Sequence, residues 1–221
     1  TYSMLINELV LAENHKKQLI ERGLDIDNVI KNGYRSTPAF GFSNIVASLL
    51  GNGCMLEGVP GFYTRLDNTY DINFCSALSG MLIPIRSIEE KIQGFQIRVD
   101  RRINGNKYIW FSSVNKFKGA SSGSPVHFVG NIFDKTVYIT EGALKADIAH
   151  KFSGKTFLAV AGAGQYESLR PIFKQLKEMG ITDIVEAYDM DKFKNEYVEK
   201  GCSNMIQLAN EFGFKVHRLT W

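Results

Sequence analysis

From Lys135 onward, apolar β-branched runs alternate strictly with amphipathic runs, and this rhythm constrains the fold more than any other feature of the sequence. Residues 136–140, 156–160, 183–188 and 215–219 read as strands; 143–152, 166–179 and 197–212 read as helices. Short connections joining strand to helix to strand imply a mainly parallel sheet covered on both faces.

In an open parallel sheet, ligands gather beyond the carboxyl ends of the strands, close to a reversal in strand order. Glu141 follows the first of these strands directly, and Asp189 and Asp191 follow the third, in the string AYDMD. Two strands therefore deliver three carboxylates to one rim. A lone Glu-Gly or Asp-x-Asp at a strand end is ordinarily a cap or a turn. Joint placement at two strand ends of one unit points instead to a charged site that needs a cation. Hard oxygen donors with water in the remaining positions suit magnesium or manganese.

The remainder of the chain has a different texture. The opening stretch reads as helical through residue 22, with Gly23 as its stop, and Asp25 or Asp27 can cap a short second helix closed by Gly33. Residues 1–35 are thus expected to form a helical hairpin. From 36 to 130, glycines and prolines punctuate short aromatic and β-branched runs, which suggests strands and loops; 81–85, 92–99 and 107–112 are the clearest strands. Residues 101–106 read as a polar turn containing Gly105. Residues 131–221 complete the expected division into three parts.

Between Gly80 and Ala120 stand eight cations (Arg86, Lys91, Arg98, Arg101, Arg102, Lys107, Lys116 and Lys118) against three acids, a local charge of +5 where the whole chain carries +3. Tyr108, Trp110 and Phe111 interleave with them. Cations near aromatic rings suit a single strand of DNA or RNA, whose phosphates follow charge and whose bases stack. Lys145 and Lys192 flank the acids and could contact a phosphate held there. The loop 161–164 is Gly-rich but lacks the Gly-Lys-Ser ending of a P-loop, so Walker-type nucleotide hydrolysis is unsupported.

VYITEGALKADIA followed by AYDMDKFKN resembles the Toprim domain of bacterial primases, topoisomerases and some nucleases. That resemblance implies a Rossmann-like parallel sheet with helices on both faces, and a catalytic divalent-metal role for Glu141, Asp189 and Asp191. Upstream, GMLIPIRSIEEKIQGFQIRVD, NKYIWFSS and FKG are similar in content and order to the basic subdomain of DnaG-type primases. It implies a smaller mixed α+β basic subdomain ahead of Toprim, with nucleic-acid or nucleotide contacts at Arg86, Arg98, Lys107 and Tyr108. The Lys of EGALKADIA is shared with primase-associated Toprim proteins of phages, plasmids and integrative elements. Bacterial primases carry an acid where this chain has Lys145.

The expected function is metal-dependent nucleotidyl transfer by a primase-like core in DNA replication of a bacterium or mobile genetic element. Its expected partners are single-stranded DNA or RNA, nucleoside triphosphates and a replicative helicase domain. A Toprim nuclease and a non-catalytic single-strand-binding module of a larger replication protein are the alternatives. Three dispersed cysteines form no CxxC pair and are expected to be reduced, mostly buried thiols. No apolar run approaches the ~20 residues that span a bilayer, and no signal-peptide pattern opens the chain, so a cytoplasmic location without membrane partners is expected. The start on Thr1 and the end on Trp221, just after a strand-like run, suggest a piece of a longer protein.

Overall fold

The computed structural model describes residues 1–189 and 193–220. They fall into two compact units. The first comprises Thr1–Pro84 with Ile92–Gly123; the second comprises Ile85–Lys91 and the chain from Ser124 onward.

In the first unit, helices α1 (Tyr2–Glu8), α2 (Glu13–Glu21) and α3 (Ile26–Asn32) lead to β1 (Arg35–Ser36) and α4 (Phe42–Gly51). A hairpin of β2 (Phe62–Thr64) and β3 (Tyr70–Ile72) follows, then β4 (Gly80–Arg86), β5 (Ile92–Ile103) and β6 (Asn106–Trp110). The order in the main sheet is β1-β4-β5-β6. Its core gathers on Phe111, whose ring stacks on Phe74 at 4.8 Å and meets Phe62 and Phe95 edge-on at 6.1 Å. Gly61 sits against that ring with φ +89°, and a Cβ there would lie 2.1 Å from the Phe111 Cε1 atom. Tyr2, Leu5, Ile6 and Leu9 share this core.

Three local outcomes differ from the sequence expectation. The opening helix breaks at Leu9, which is extended (φ −110°, ψ 148°) because its side chain enters the core. The backbone there pairs with residue 36 instead: Ser36 donates to the Val10 carbonyl, and the Ala12 N–H donates to Ser36 Oγ. Residues 42–51, expected as strand or loop, form α4, which buries Ile45, Val46 and Leu49 on one face. The expected turn 101–106 is mostly strand. Only Asn104 and Gly105, both at positive φ, make the bend, so Arg101 and Arg102 lie in β5. An Asn-Gly pair with two positive φ angles matches the twist of a two-residue hairpin. The cap of α3 is Asp25, which accepts from the Asn28 N–H, and Gly33 closes the helix in the left-handed region.

The second unit carries β7 (His127–Val129), β8 (Thr136–Glu141), α5 (Ala143–Ser153), β9 (Thr156–Val160), α6 (Arg170–Glu178), β10 (Asp183–Glu186), α7 (Glu196–Glu211) and β11 (Lys215–Arg218). Strand order is β11-β10-β8-β9-β7. All neighbours are parallel except β7, an antiparallel edge strand that the sequence rhythm does not announce. Val137, Ile139, Leu158, Val160 and Ile184 face Phe173 and Leu176 of α6 and Met205 and Leu208 of α7. Tyr138, Phe157 and Ala159 pack with Ala146 and Ala149 of α5. Period-two alternation along each strand thus serves two covered faces, and the expected α/β architecture is present.

The chain leaves β8 toward β9 on one side and leaves β10 toward β11 on the other. The reversal in strand order therefore falls between β8 and β10. Among the described residues, no helix is long and apolar enough to cross a membrane. Cys202 is buried and Cys54 partly so, but Cys75 is exposed on the loop after β3, against the expectation of mostly buried thiols.

Candidate functional site

Glu141 is the last residue of β8, paired with Val160 of β9. Gly142, at φ +80°, then turns the chain into α5, and its N–H donates to the Val160 carbonyl. One Glu141 carboxylate oxygen accepts from the Ala163 N–H at 3.2 Å. The loop supplying that N–H is held tightly, since a Cβ on Gly201 of α7 would lie 2.5 Å from the Ala163 carbonyl oxygen. The Gly-rich loop therefore both packs and orients Glu141.

On the adjacent strand, Glu186 pairs with Ile139, and the Ala187 N–H donates to the Ile139 carbonyl. Asp189 follows at the same carboxyl edge. Glu141 and Asp189 thus stand at the ends of two neighbouring parallel strands, at the reversal point. Lys145, in the first turn of α5, forms an ion pair with Asp189, both side chains about half exposed. Asp191 and Lys192, named with them from the sequence, lie outside the described residues. Among the described residues, no group of three or more His, Cys, Asp or Glu is placed to hold a metal. The donors that are described, two carboxylates at one edge, fit a hard, largely hydrated divalent cation, with the Lys145 ammonium as its competitor.

Beneath this edge the polar groups are buried. Glu186 is fully buried, accepting from the Tyr188 N–H at 2.8 Å and from Arg218 Nε at 3.0 Å. Burial pushes the Tyr188 phenol well above its ordinary pKa, and the nearby charges of Glu141, Cys202 and Glu186 add to this. Its hydroxyl has no hydrogen-bond partner among the described residues.

Arg86 belongs to the second unit. Its backbone N–H donates to His127 Nδ1 at 3.1 Å, and His127 Nε2 lies 3.0 Å from Asp147 Oδ1. The Arg86 guanidinium donates to the Glu90 carbonyl at 3.1 Å.

Of the other cations named between Gly80 and Ala120, Lys91 shares the second unit with Arg86, and the rest belong to the first. Arg98, Asp100, Arg102 and Lys107 line a pocket of about 290 Å³ together with Gln18 of α2. Arg98 donates to Gln18 Oε1 at 2.5 Å, while its buried Nε has no partner among the described residues. The Lys107 ammonium is pushed below its ordinary pKa, first by the Arg98 guanidinium, then by burial, then by Arg22 and Arg102. Burial alone would raise the Asp100 carboxyl; hydrogen bonds from His15 and Ser79, with the His15 and Arg98 charges, hold it below the usual range. Its charge is thus shared with partners outside the cation group, which stays in excess. Tyr108 pairs directly across from Arg98 and is 40% exposed, so its ring is available to solvent.

Sequence reasoning did not find Gln18, Arg22 or the His127–Asp147 pair. No spacing signals them, because each is joined to its partner through tertiary structure alone.

No protein-family model matches the chain, and no curated protein matches it. Solved structures do. The zinc-binding and RNA polymerase domains of the Aquifex aeolicus primase superpose with a TM-score of 0.72 at 16% identity, covering 98% of this chain and 53% of that one. The RNA polymerase domain of Mycobacterium tuberculosis primase DnaG gives 0.67 at 17% identity, over 100% of this chain and 76% of that one. A DnaG primase catalytic domain bound to single-stranded DNA gives 0.61 at 16% identity, over 94% and 66%. The chain therefore spans about half the length of the Aquifex primase chain, and at these identities the likeness is one of fold.

Proposed function

We propose that this chain, whose fold is that of DnaG-type primase catalytic cores, serves as the core of a primase-like nucleotidyltransferase in DNA replication. The observation that carries the reading is the placement of Glu141 and Asp189 on neighbouring parallel strand ends at the reversal point.

Glu141, Asp189 and Asp191 are the residues that would hold magnesium or manganese. Such an ion, when bound, supplies Lewis-acid polarisation of a phosphoryl oxygen and a lower pKa for an attacking hydroxyl. The Ala163 N–H fixes the direction of the Glu141 carboxylate before substrate arrives. Lys145 neutralises Asp189 in the resting state and is free to turn to a phosphate once that carboxylate is engaged elsewhere. Arg98 and Lys107, crowded with Arg22 and Arg102, bind a polyanion because each phosphate relieves cation–cation repulsion. Tyr108 offers a ring for base stacking beside them.

The substrates in this reading are a single-stranded template and nucleoside triphosphates. One observation favours the non-catalytic alternative: the Lys145–Asp189 ion pair occupies a carboxylate that chemistry requires. A template-directed primer-synthesis assay on the full-length protein with Mg²⁺ and with Mn²⁺ separates the readings. Primer products support the transferase; strand cleavage without synthesis supports a nuclease; neither, with single-strand affinity retained, supports a binding module.

A further inference from the structure

The second unit contains a buried polar pair that the proposed chemistry does not use. His127 is 2% exposed and Asp147 5%. Because His127 Nδ1 accepts the Arg86 backbone N–H, the ring proton sits on Nε2 and is donated to Asp147 Oδ1. Three groups from β7, α5 and the last residue of β4 are joined in one line. Burial makes that line specific, since removing the carboxylate strands a ring N–H away from water.

Strand register shows what the line holds in place. His127 pairs with Ala159, and Ala159 pairs with Thr140, the residue before Glu141. His127 is therefore level with the carboxylate edge, two strands away, or roughly 10 Å at ordinary strand spacing. The Arg86 backbone is hung at that level, on the face covered by α5, the helix that carries Lys145. The turn beyond it is fixed as well: the Ser87 N–H donates to the Lys91 carbonyl, and Ile88 enters the core of this unit. The Arg86 guanidinium rests on the Glu90 carbonyl of that turn, and a phosphate chain lying along the edge would compete for it.

We infer that His127 and Asp147 are positioning residues that hold Arg86 at the carboxylate edge to receive the phosphates of a nucleoside triphosphate. The inference rests on the reading of Arg86 as a phosphate contact. Neither residue touches the ligand; both act through the Arg86 backbone.

The test is a double-mutant cycle on the affinity of the full-length protein for MgATP, with a single-stranded DNA oligonucleotide as the control ligand. Arg86→Gln lowers MgATP affinity about tenfold, the scale of one charge-assisted contact. Asp147→Ala lowers it about fivefold in the wild-type background and less than about twofold in the Arg86→Gln background, because coupled residues are non-additive. Asp147→Asn, which keeps a carbonyl for His127 Nε2–H, restores most of the affinity. Oligonucleotide affinity stays within about twofold in the two single Asp147 variants, since Arg98 and Lys107 are untouched. Wild-type affinity in Asp147→Ala beside a loss in Arg86→Gln overturns the inference and leaves the reading of Arg86 intact. Penalties that multiply in the double variant overturn it too. An Arg86→Gln variant with unchanged affinity removes both. Should Asp147→Ala fail to fold, hydrogen exchange at the Arg86 amide of the wild type decides: protection supports the anchor, and exchange at the rate of an open amide overturns it.

Discussion

In the proposed reading, the ion pair between Lys145 and Asp189 should act as a measurable brake on cation binding. Both side chains are about half exposed, at 50% and 47%, so water screens the pair. Coulomb attraction at contact spans about 1 kcal/mol in water to about 4 kcal/mol at a protein surface. Exposed pairs retain about 0.2–1 kcal/mol of this after side-chain entropy and screening. Taking about 0.7 kcal/mol, Lys145→Ala should raise Mn²⁺ affinity about threefold, because the ammonium no longer competes for Asp189. Lys145→Glu changes the local charge by two units and should raise it about tenfold. Stability should move by less than about 1 kcal/mol in Lys145→Ala. Mn²⁺ titration followed by electron paramagnetic resonance at low salt reads the affinity, and thermal denaturation reads the stability. Unchanged or weaker Mn²⁺ binding in both variants would refute the argument that Lys145 competes with a cation at this edge.

Reversing Arg98 and Lys107 to Glu should abolish most single-strand binding, reduce the slope of log affinity against log salt by about 2, and leave the fold intact by circular dichroism. Gly61→Ala should destabilise the first unit by about 3 kcal/mol or more, because the new Cβ meets Phe111 at a positive φ; urea unfolding measures it, and a loss below about 1 kcal/mol would show that the ring simply moves. Asp100 titrates below its ordinary 3.8 in the folded chain, so its contribution to stability is complete above that pH and is lost as pH falls through the folded value. Asp100→Asn should therefore flatten the acid limb of the stability curve; an unchanged limb would place the acid sensitivity elsewhere.

The parallel sheet was legible because its strands are buried on both faces and separated by helices, which leaves a rhythm that no other architecture produces. Strand β7 was not, being three residues long and paired antiparallel at an edge. Helix α4 was hidden by the glycines at both of its ends, and the break at Leu9 by a tertiary hydrogen bond to Ser36. At the site, the strand-end positions of Glu141 and Asp189 could be read from spacing, since a parallel unit delivers its strand ends to one edge. Lys145 pairing with Asp189 across 44 residues, or Asp147 with His127 across 20, could not, because only the folded chain brings these groups together. The exposure of Cys75 escaped for the same reason: composition says how a residue type is usually placed, and a loop can place it otherwise.

The claim that Glu141 belongs to chemistry while the cations belong to binding is tested most directly by Glu141→Gln in the full-length protein. In the proposed reading, Glu141 would act on charge that develops during transfer, whereas Arg98 and Lys107 would hold the ground-state polyanion. Template-directed primer synthesis with Mg²⁺ or Mn²⁺ should be lost in Glu141→Gln, while affinity for a single-stranded oligonucleotide stays within about twofold of wild type. Undiminished synthesis in that variant, or loss of synthesis and binding together, would contradict the account.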